Sequence, residues 1–158
     1  YSAEKIVEMD WNEVYTSEPG FRITCLPARH FSGRFLRQNP SLWASFMLEG
    51  HSTVYIGGDS GYGAHFSEIG KRFPHIDLAI LENGQYDKEW SLIHLMPQYM
   101  AQTARDLKAK KVLTVHHSKY ALAKHRWDEP LKNAEEMKNK DYLNVLIPEI
   151  GEVVTLEK

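Results

Sequence analysis

The sequence predicts an α/β fold. Three observations carry that expectation: an all-strand opening, then apolar strand-like runs alternating with segments of helical periodicity, and an apolar content of 42% over 158 residues. A chain of this length buries roughly 68–70% of the surface its unfolded form exposes, enough for a core. It reads as a single unit over residues 1–158, without repeat, low-complexity tract or linker.

The elements follow from local pattern. Lys5–Asp10 and Phe21–Leu26 read as strands. Leu42–Glu49 alternates as a half-buried strand does, Gly50–His51 is a two-residue turn, and Ser52–Gly57 returns with Val54 and Ile56 on one face. A short helix at His65–Phe73 follows the glycine-rich Gly57–Gly63. Ile76–Leu81 is an apolar run bounded by turn residues, the pattern of a strand covered on both faces. Pro97 suits the first turn of the next helix, Met100, Ala104 and Leu107 repeat at helical spacing, and Lys108, Lys110 and Lys111 complement its C-terminal dipole. Val112–Val115 is again a buried strand, and Pro130 opens a polar helix to about Lys140. Asn144–Ile147 and Glu152–Leu156 close the chain as short strands.

Composition narrows the function classes. Nineteen basic against 21 acidic residues leave a net charge of −2, which gives no electrostatic case for a nucleic-acid or anionic-membrane partner. The single cysteine, Cys25, excludes an intrachain disulfide and any cysteine-cluster zinc site, and it fits a reducing compartment, so the cytoplasm is expected. No run reaches the roughly 18 apolar residues of a membrane span. The chain opens at Tyr1 with neither an initiator Met nor a signal peptide, so its natural start is expected upstream.

Three polar residues stand where strands end: His30, Asp59 and His116. Strand ends in layered α/β folds gather at one edge, so the three side chains are expected within about 8 Å of one another there. Singly, each reads more readily as a turn or capping residue than as a ligand. The segment Gly58-Asp59-Ser60-Gly61 resembles the nucleophile segment of chymotrypsin-like serine proteases. Those proteins are all-β, whereas this segment leads from a strand into a helix. It also lacks the Gly-Lys-Ser/Thr ending of a phosphate-binding loop. His94, just before the Pro97 helix, is read as a substrate contact or a cap. Tyr62, His125, Arg34 and Trp127 suit substrate contact or packing. His117, next to a strand-end residue, points the other way and packs. His51 is a turn residue, and His65 and His75 are expected on the surface.

Whole words of sequence carry a family resemblance. Leu26-Pro-Ala-Arg-His30-Phe-Ser-Gly-Arg34, Gly57-Gly-Asp59-Ser-Gly-Tyr62, and Val115-His116 followed by Trp127-Asp-Glu-Pro130 resemble the metallo-β-lactamase superfamily. The branch is that of N-acyl-phosphatidylethanolamine-hydrolysing phospholipase D and its bacterial relatives. Ile150-Gly-Glu-Val-Val-Thr155 resembles that family's closing strand, so the resemblance runs from about Lys5 to the C-terminus.

The resemblance implies an αββα sandwich with two divalent metal ions, usually zinc, at one edge. By position His30 is similar to a histidine on the first metal, Asp59 to the carboxylate bridging both, and His116 to the histidine on the second. The metals would activate water and stabilise charge on a phosphoryl oxygen or leaving group, with Asp59 the catalytic carboxylate. His94, Tyr62 and His125 would then face a small-molecule or lipid substrate. The word His-x-His-x-Asp-His, which supplies the family's other ligands, is absent: the histidines are 30, 51, 65, 75, 94, 116, 117 and 125. The chain is therefore expected to be the C-terminal half of such a hydrolase, inactive alone, and paired with its missing N-terminal half or a second copy of itself. The competing expectation is an inactive interaction module that retains half of the sandwich.

Overall fold

The computed structural model of the protein describes residues 2–17, 19–34, 37–120 and 122–156, with the backbone alone at 3, 34, 37 and 38. The strands are β1 (Val14–Ser17), β2 (Phe21–Pro27), β3 (Gly33–Arg34), β4 (Arg37–Gln38), β5 (Ala44–Glu49), β6 (Thr53–Ile56), β7 (Leu78–Glu82), β8 (Lys111–Val115) and β9 (Val145–Leu146). The α-helices are α1 (His65–Arg72), α2 (Pro97–Leu107) and α3 (Glu129–Asn139). Seven strands form one sheet in the order β1-β2-β5-β6-β7-β8-β9, and β3 and β4 make a separate small ribbon. The β1-β2-β5-β6 part is antiparallel, and β6 through β9 run parallel. The α/β expectation is met, with hairpins first and crossovers through helices afterwards, as parallel pairing requires.

Cross-strand register explains the core. Met47, Tyr55, Ala79, Val112 and Val145 lie side by side across five strands. All five are buried, joined by Phe66 and Ile69 of α1, Met100, Ala104 and Leu107 of α2, and Ala134 and Met137 of α3. Burial of each large side chain in this layer contributes about 1.5–3 kcal/mol. Pro97 opens α2, and Lys108 closes it in the left-handed region at φ 55°, its N–H reaching the carbonyls of Ala104 and Arg105.

The opposite face is different. Phe46, Ile56, Ile80, Leu113 and Leu146 form the neighbouring row and are only half-buried. The expectation that the Ile76–Leu81 and Val112–Val115 strands are covered on both faces is thus corrected: within the described residues the helices close one face. Three further readings change. Residues Lys5–Asp10 are exposed apart from the partly buried Met9 and form no strand, and the first strand is β1, which pairs with β2. Glu152–Leu156 is coil and pairs with no strand among the described residues, so the sheet ends at β9. The β5–β6 connection is Gly50–Ser52, one residue longer than expected.

Strands β2, β6, β7 and β8 all point the same way, so the loops that follow them meet at one edge. Two glycines permit the approach. A Cβ on Gly84 would stand 2.2 Å from the carbonyl oxygen of His116, and one on Gly61 would stand 2.2 Å from that of Leu92. His116 itself is held at φ 68°, unusual for a residue with a side chain. Gly84→Ala is therefore expected to cost about 1–3 kcal/mol, as overpacking does. The measurement is a urea midpoint that falls at unchanged m-value, against a change of at most about 0.5 kcal/mol for the exposed Lys138→Ala.

Candidate functional site

Four loops supply the edge. His30 follows β2, Asp59 follows β6, His116 follows β8, and His94 precedes α2. Asp59 Oδ2 lies 3.9 Å from His30 Nε2 and 3.6 Å from His116 Nε2. The structure thus brings the three strand-end residues together and adds His94. Its ring stands edge-on to His30 at 5.2 Å and stacks with His116 at 5.7 Å.

The charged group behind them is Glu82, the last residue of β7, 2% exposed. One of its oxygens, Oε1, accepts the N–H of Ser60 at 2.6 Å and of Leu95 at 2.9 Å. The other, Oε2, accepts Nδ1–H of His94 at 2.6 Å and lies 3.8 Å from Nδ1 of His116. Burial works against charging His94, but the hydrogen bond and charge of Glu82, with Asp59 beyond, outweigh it and hold its pKa above the ordinary imidazole value. Glu82 escaped the sequence reading because that reading ended the strand at Leu81. Applying the strand-end rule one residue later reaches it.

Tautomers follow from partners. Nδ1 of His30 lies 2.7 Å from the carbonyl oxygen of Phe31 and so carries the ring proton. Its Nε2 is buried, has no hydrogen-bond partner among the described residues, and faces Asp59. An orphaned nitrogen lone pair beside a carboxylate and two further imidazoles fits a divalent cation with nitrogen and oxygen ligands. Two overlapping groups of donor atoms fall within 4.8 Å of one another: His30, Asp59 and His94, and Glu82, His94 and His116.

A cavity of about 580 Å³ opens on these residues. His30, Asp59, His94 and His116 line it together with apolar Phe31, Trp90, Ile93 and Leu122. Gln85 organises its rim, accepting the N–H groups of Leu122 and Ala123 and donating to the carbonyl of Tyr120. The sequence reading passed over Gln85, which carries no charge or motif.

Other candidates sit elsewhere. Tyr62 does not line the cavity. Its hydroxyl donates to Asp106 of α2 at 2.7 Å and its ring stacks on Tyr99 at 4.8 Å, because the residue after Gly61 turns toward the helices. His125 also lies outside the cavity lining. Its Nδ1–H donates to the carbonyl of Arg126, its Nε2 accepts the N–H of Gln85, and its ring rests on Tyr86, so it anchors the rim from behind. The Arg34 side chain lies outside the described residues, and Trp127 is 54% exposed. His117 is half-buried against Thr114, as expected of a packing residue. His65 is not a surface group. Its Nε2 lies 3.1 Å from the buried Ser60 hydroxyl, and burial, with the charge of Arg29 nearby, pushes its pKa down to about 4.

Comparison with known proteins places these features. The beta-lactamase superfamily domain matches residues 2–117. The chain is 56% identical over 92 residues to the outer membrane protein RomA of Klebsiella pneumoniae, covering 58% of this chain and 70% of that protein. It is 35% identical over 142 residues to the mitochondrial N-acyl-phosphatidylethanolamine-hydrolysing phospholipase D of Saccharomyces cerevisiae, covering 84% of this chain and 30% of that protein. The solved metallo hydrolase of the archaeon Ignicoccus hospitalis superposes with a TM-score of 0.76 at 18% identity, over 96% of this chain and 61% of that one, and shares the fold. The chain also spans 41% of the length of the mycobacterial relatives it matches.

A pH dependence follows from His65. Its folded pKa of about 4 lies below the ordinary 6.5, so the unfolded chain takes up the proton first. The stability of the neutral form is full above pH 6.5 and is lost as the pH falls toward 4. Chemical denaturation across that window is expected to show a falling unfolding free energy, with a shallower slope in His65→Gln.

Proposed function

The chain belongs to the beta-lactamase superfamily, in the branch that resembles N-acyl-phosphatidylethanolamine-hydrolysing phospholipase D, and from that premise we propose that it carries part of a metal-dependent hydrolase site whose intact form cleaves a phosphodiester or another ester. The observation that supports this reading best is the meeting of His30, Asp59 and His116 around an unpartnered, buried imidazole nitrogen. His30, Asp59 and His116 would hold the cations, zinc by the nitrogen and oxygen character of the donors. When bound, such cations supply Lewis acidity and activate water.

The chain's own residues do the rest. The Phe31 carbonyl keeps the His30 ring proton on Nδ1 and leaves Nε2 as a donor. The Ser60 N–H, tied to Glu82, fixes the loop that carries Asp59. Phe31, Trp90, Ile93 and Leu122 present an apolar wall to the substrate and exclude water beside the polar residues. That wall suits a small molecule with an apolar portion or a lipid.

The reading includes a second part for the domain. Three donors cannot complete the shells of two four-coordinate cations. In addition, the row Phe46, Ile56, Ile80, Leu113 and Leu146 is only partly buried among the described residues. A further segment of the same protein, or a second copy of this chain, would cover that row and bring the missing ligands. The cytoplasm suits the single buried free cysteine, and among the described residues no helix is long and apolar enough to cross a membrane. The partly buried row also favours a second reading, an inactive interaction module. A His-x-His-x-Asp-His word upstream of residue 1 in the full coding sequence supports the enzyme, and its absence supports the module.

Asp59→Ala in the full-length protein is expected to lower ester hydrolysis and zinc affinity by at least the roughly 10–100-fold that loss of an outer-sphere partner costs. Zinc titration of both proteins and a phosphodiester assay check it. Residues 1–158 alone are expected to bind zinc weakly and to self-associate in sedimentation. Tight uptake of two equivalents by a stable monomer would overturn the two-part reading.

A further inference from the structure

We propose that Gln85 is a specificity-determining residue of the cavity: it positions Tyr120 and Leu122 as an apolar wall that selects an ester with an extended apolar chain over a compact one. This deepens the hydrolase reading above and rests on it. Gln85 acts through the segment it holds, so its role is positioning.

The wall is not held by a core. Tyr120 is 74% exposed and Leu122 77%, yet both line the cavity together with Phe31, Trp90 and Ile93. Among the described residues, 117–125 make no backbone–backbone hydrogen bond. Order in such a segment has to come from side chains. Gln85 supplies three bonds to it. Its Oε1 accepts the N–H groups of Leu122 at 2.7 Å and Ala123 at 3.1 Å, and its Nε2 donates to the Tyr120 carbonyl at 2.6 Å. A fourth runs from the Gln85 backbone N–H to Nε2 of His125 at 2.8 Å.

The side-chain bonds need an acceptor and a donor at one position, which an amide has and a carboxylate lacks. The amide is itself fixed. Gln85 is buried, with its backbone in the left-handed region at φ 57°. Gly84 before it leaves no room for a Cβ against the carbonyl of His116. Tyr86 after it is buried too, its hydroxyl donating to Glu129 and accepting from Asn133, each at 2.8 Å. The wall therefore takes its place from a frame tied to α3.

Tyr120 and Leu122 leave most of their surface in water, and an apolar chain in the cavity would cover part of it. Each methylene so buried is worth about fourfold in binding. A methyl ester gains almost none of this.

The test uses the full-length protein and two substrate series, methyl and octyl p-nitrophenyl phosphate, and p-nitrophenyl acetate and octanoate. In the series it hydrolyses, kcat/KM is expected to favour the longer chain by about tenfold or more. Gln85→Met, of similar size but without the amide, is expected to lose that preference through a higher KM for the longer chain. Leu122→Ser, at an exposed position where folding is little affected, should lose it likewise, and the double substitution should lose no more than either alone. Gln85→Glu, which keeps the acceptor but not the donor, should retain part of it. In the unsubstituted protein the Leu122 and Ala123 amides should exchange with deuterium at least about tenfold more slowly than those of an open chain. Open-chain exchange there overturns the proposal and needs no variant to fold. A preference that survives Gln85→Met or Leu122→Ser, or hydrolysis with no preference in the unsubstituted protein, also overturns it and leaves the hydrolase reading standing. Hydrolysis of neither series overturns both.

Discussion

The buried carboxylate of Glu82 is the constraint around which the functional edge is organised. An ionised group taken out of water carries a penalty of several kcal/mol unless it is fully paired. Here three N–H groups from two chain segments pair it: Ser60 in the loop after β6, and Leu95 and the His94 ring in the turn before α2. Each segment is placed by a long-range requirement. If the Asp59 loop moved, Ser60 would leave the carboxylate short of a donor, and if α2 slid along the sheet, Leu95 and His94 would do the same. A rigid scaffold of this kind is what a site assembled from loops needs in order to hold donor atoms to a fixed geometry.

Close backbone approach complements that charge. The loop after β7 passes the loop after β8 at Gly84, and the loop after β6 passes the turn before α2 at Gly61, in both cases at distances that leave no room for a Cβ. The left-handed His116 lies at one of these crossings. An unfavourable backbone conformation persists only where its surroundings over-determine it. Here a carbonyl wedged against Gly84 and a ring stacked on His94 do so. The charge of Glu82 and the two glycines therefore solve one problem from two directions, bringing four chain segments into one place and keeping them there.

The division between what the sequence shows and what it hides follows from the same physics. Periodicity located β2, β5–β8 and the helices, because their apolar residues repeat on the face that α1, α2 and α3 close. It also located His30, Asp59 and His116, since a polar residue ending an apolar run marks a strand terminus and parallel strands share an edge. Glu82 was hidden because an apolar-run criterion stops at Leu81, although the strand continues for one buried, charged residue. Its burial is tolerable only through partners from residues 60, 94 and 95, and no local window contains them. Strand β1 was hidden because Val14, Tyr15 and Thr16 are exposed and are held by pairing with β2, not by a buried face. Residues 152–156 show the converse, an alternating run that stays coil and pairs with no strand among the described residues. Tyr62, three residues from Asp59, shows how little sequence proximity says about a site: one turn at Gly61 sends it to Asp106.

The two faces of the sheet bear on how a complete site would be built. The helices close the row of Met47, Tyr55, Ala79, Val112 and Val145, so no further segment can reach the edge across that side without displacing the core. The row of Phe46, Ile56, Ile80, Leu113 and Leu146 is only partly buried, and a segment laid over it would gain roughly 25 cal/mol for each Å² of apolar surface removed from water. On the hydrolase reading, the open coordination and the uncovered row therefore share one remedy, a partner segment that packs on this row and arrives at the edge with its own ligands. Hydrophobic association would supply the binding energy for that arrival. The polar framework behind Glu82 would already hold this chain's donors in place, leaving the partner to order only its own.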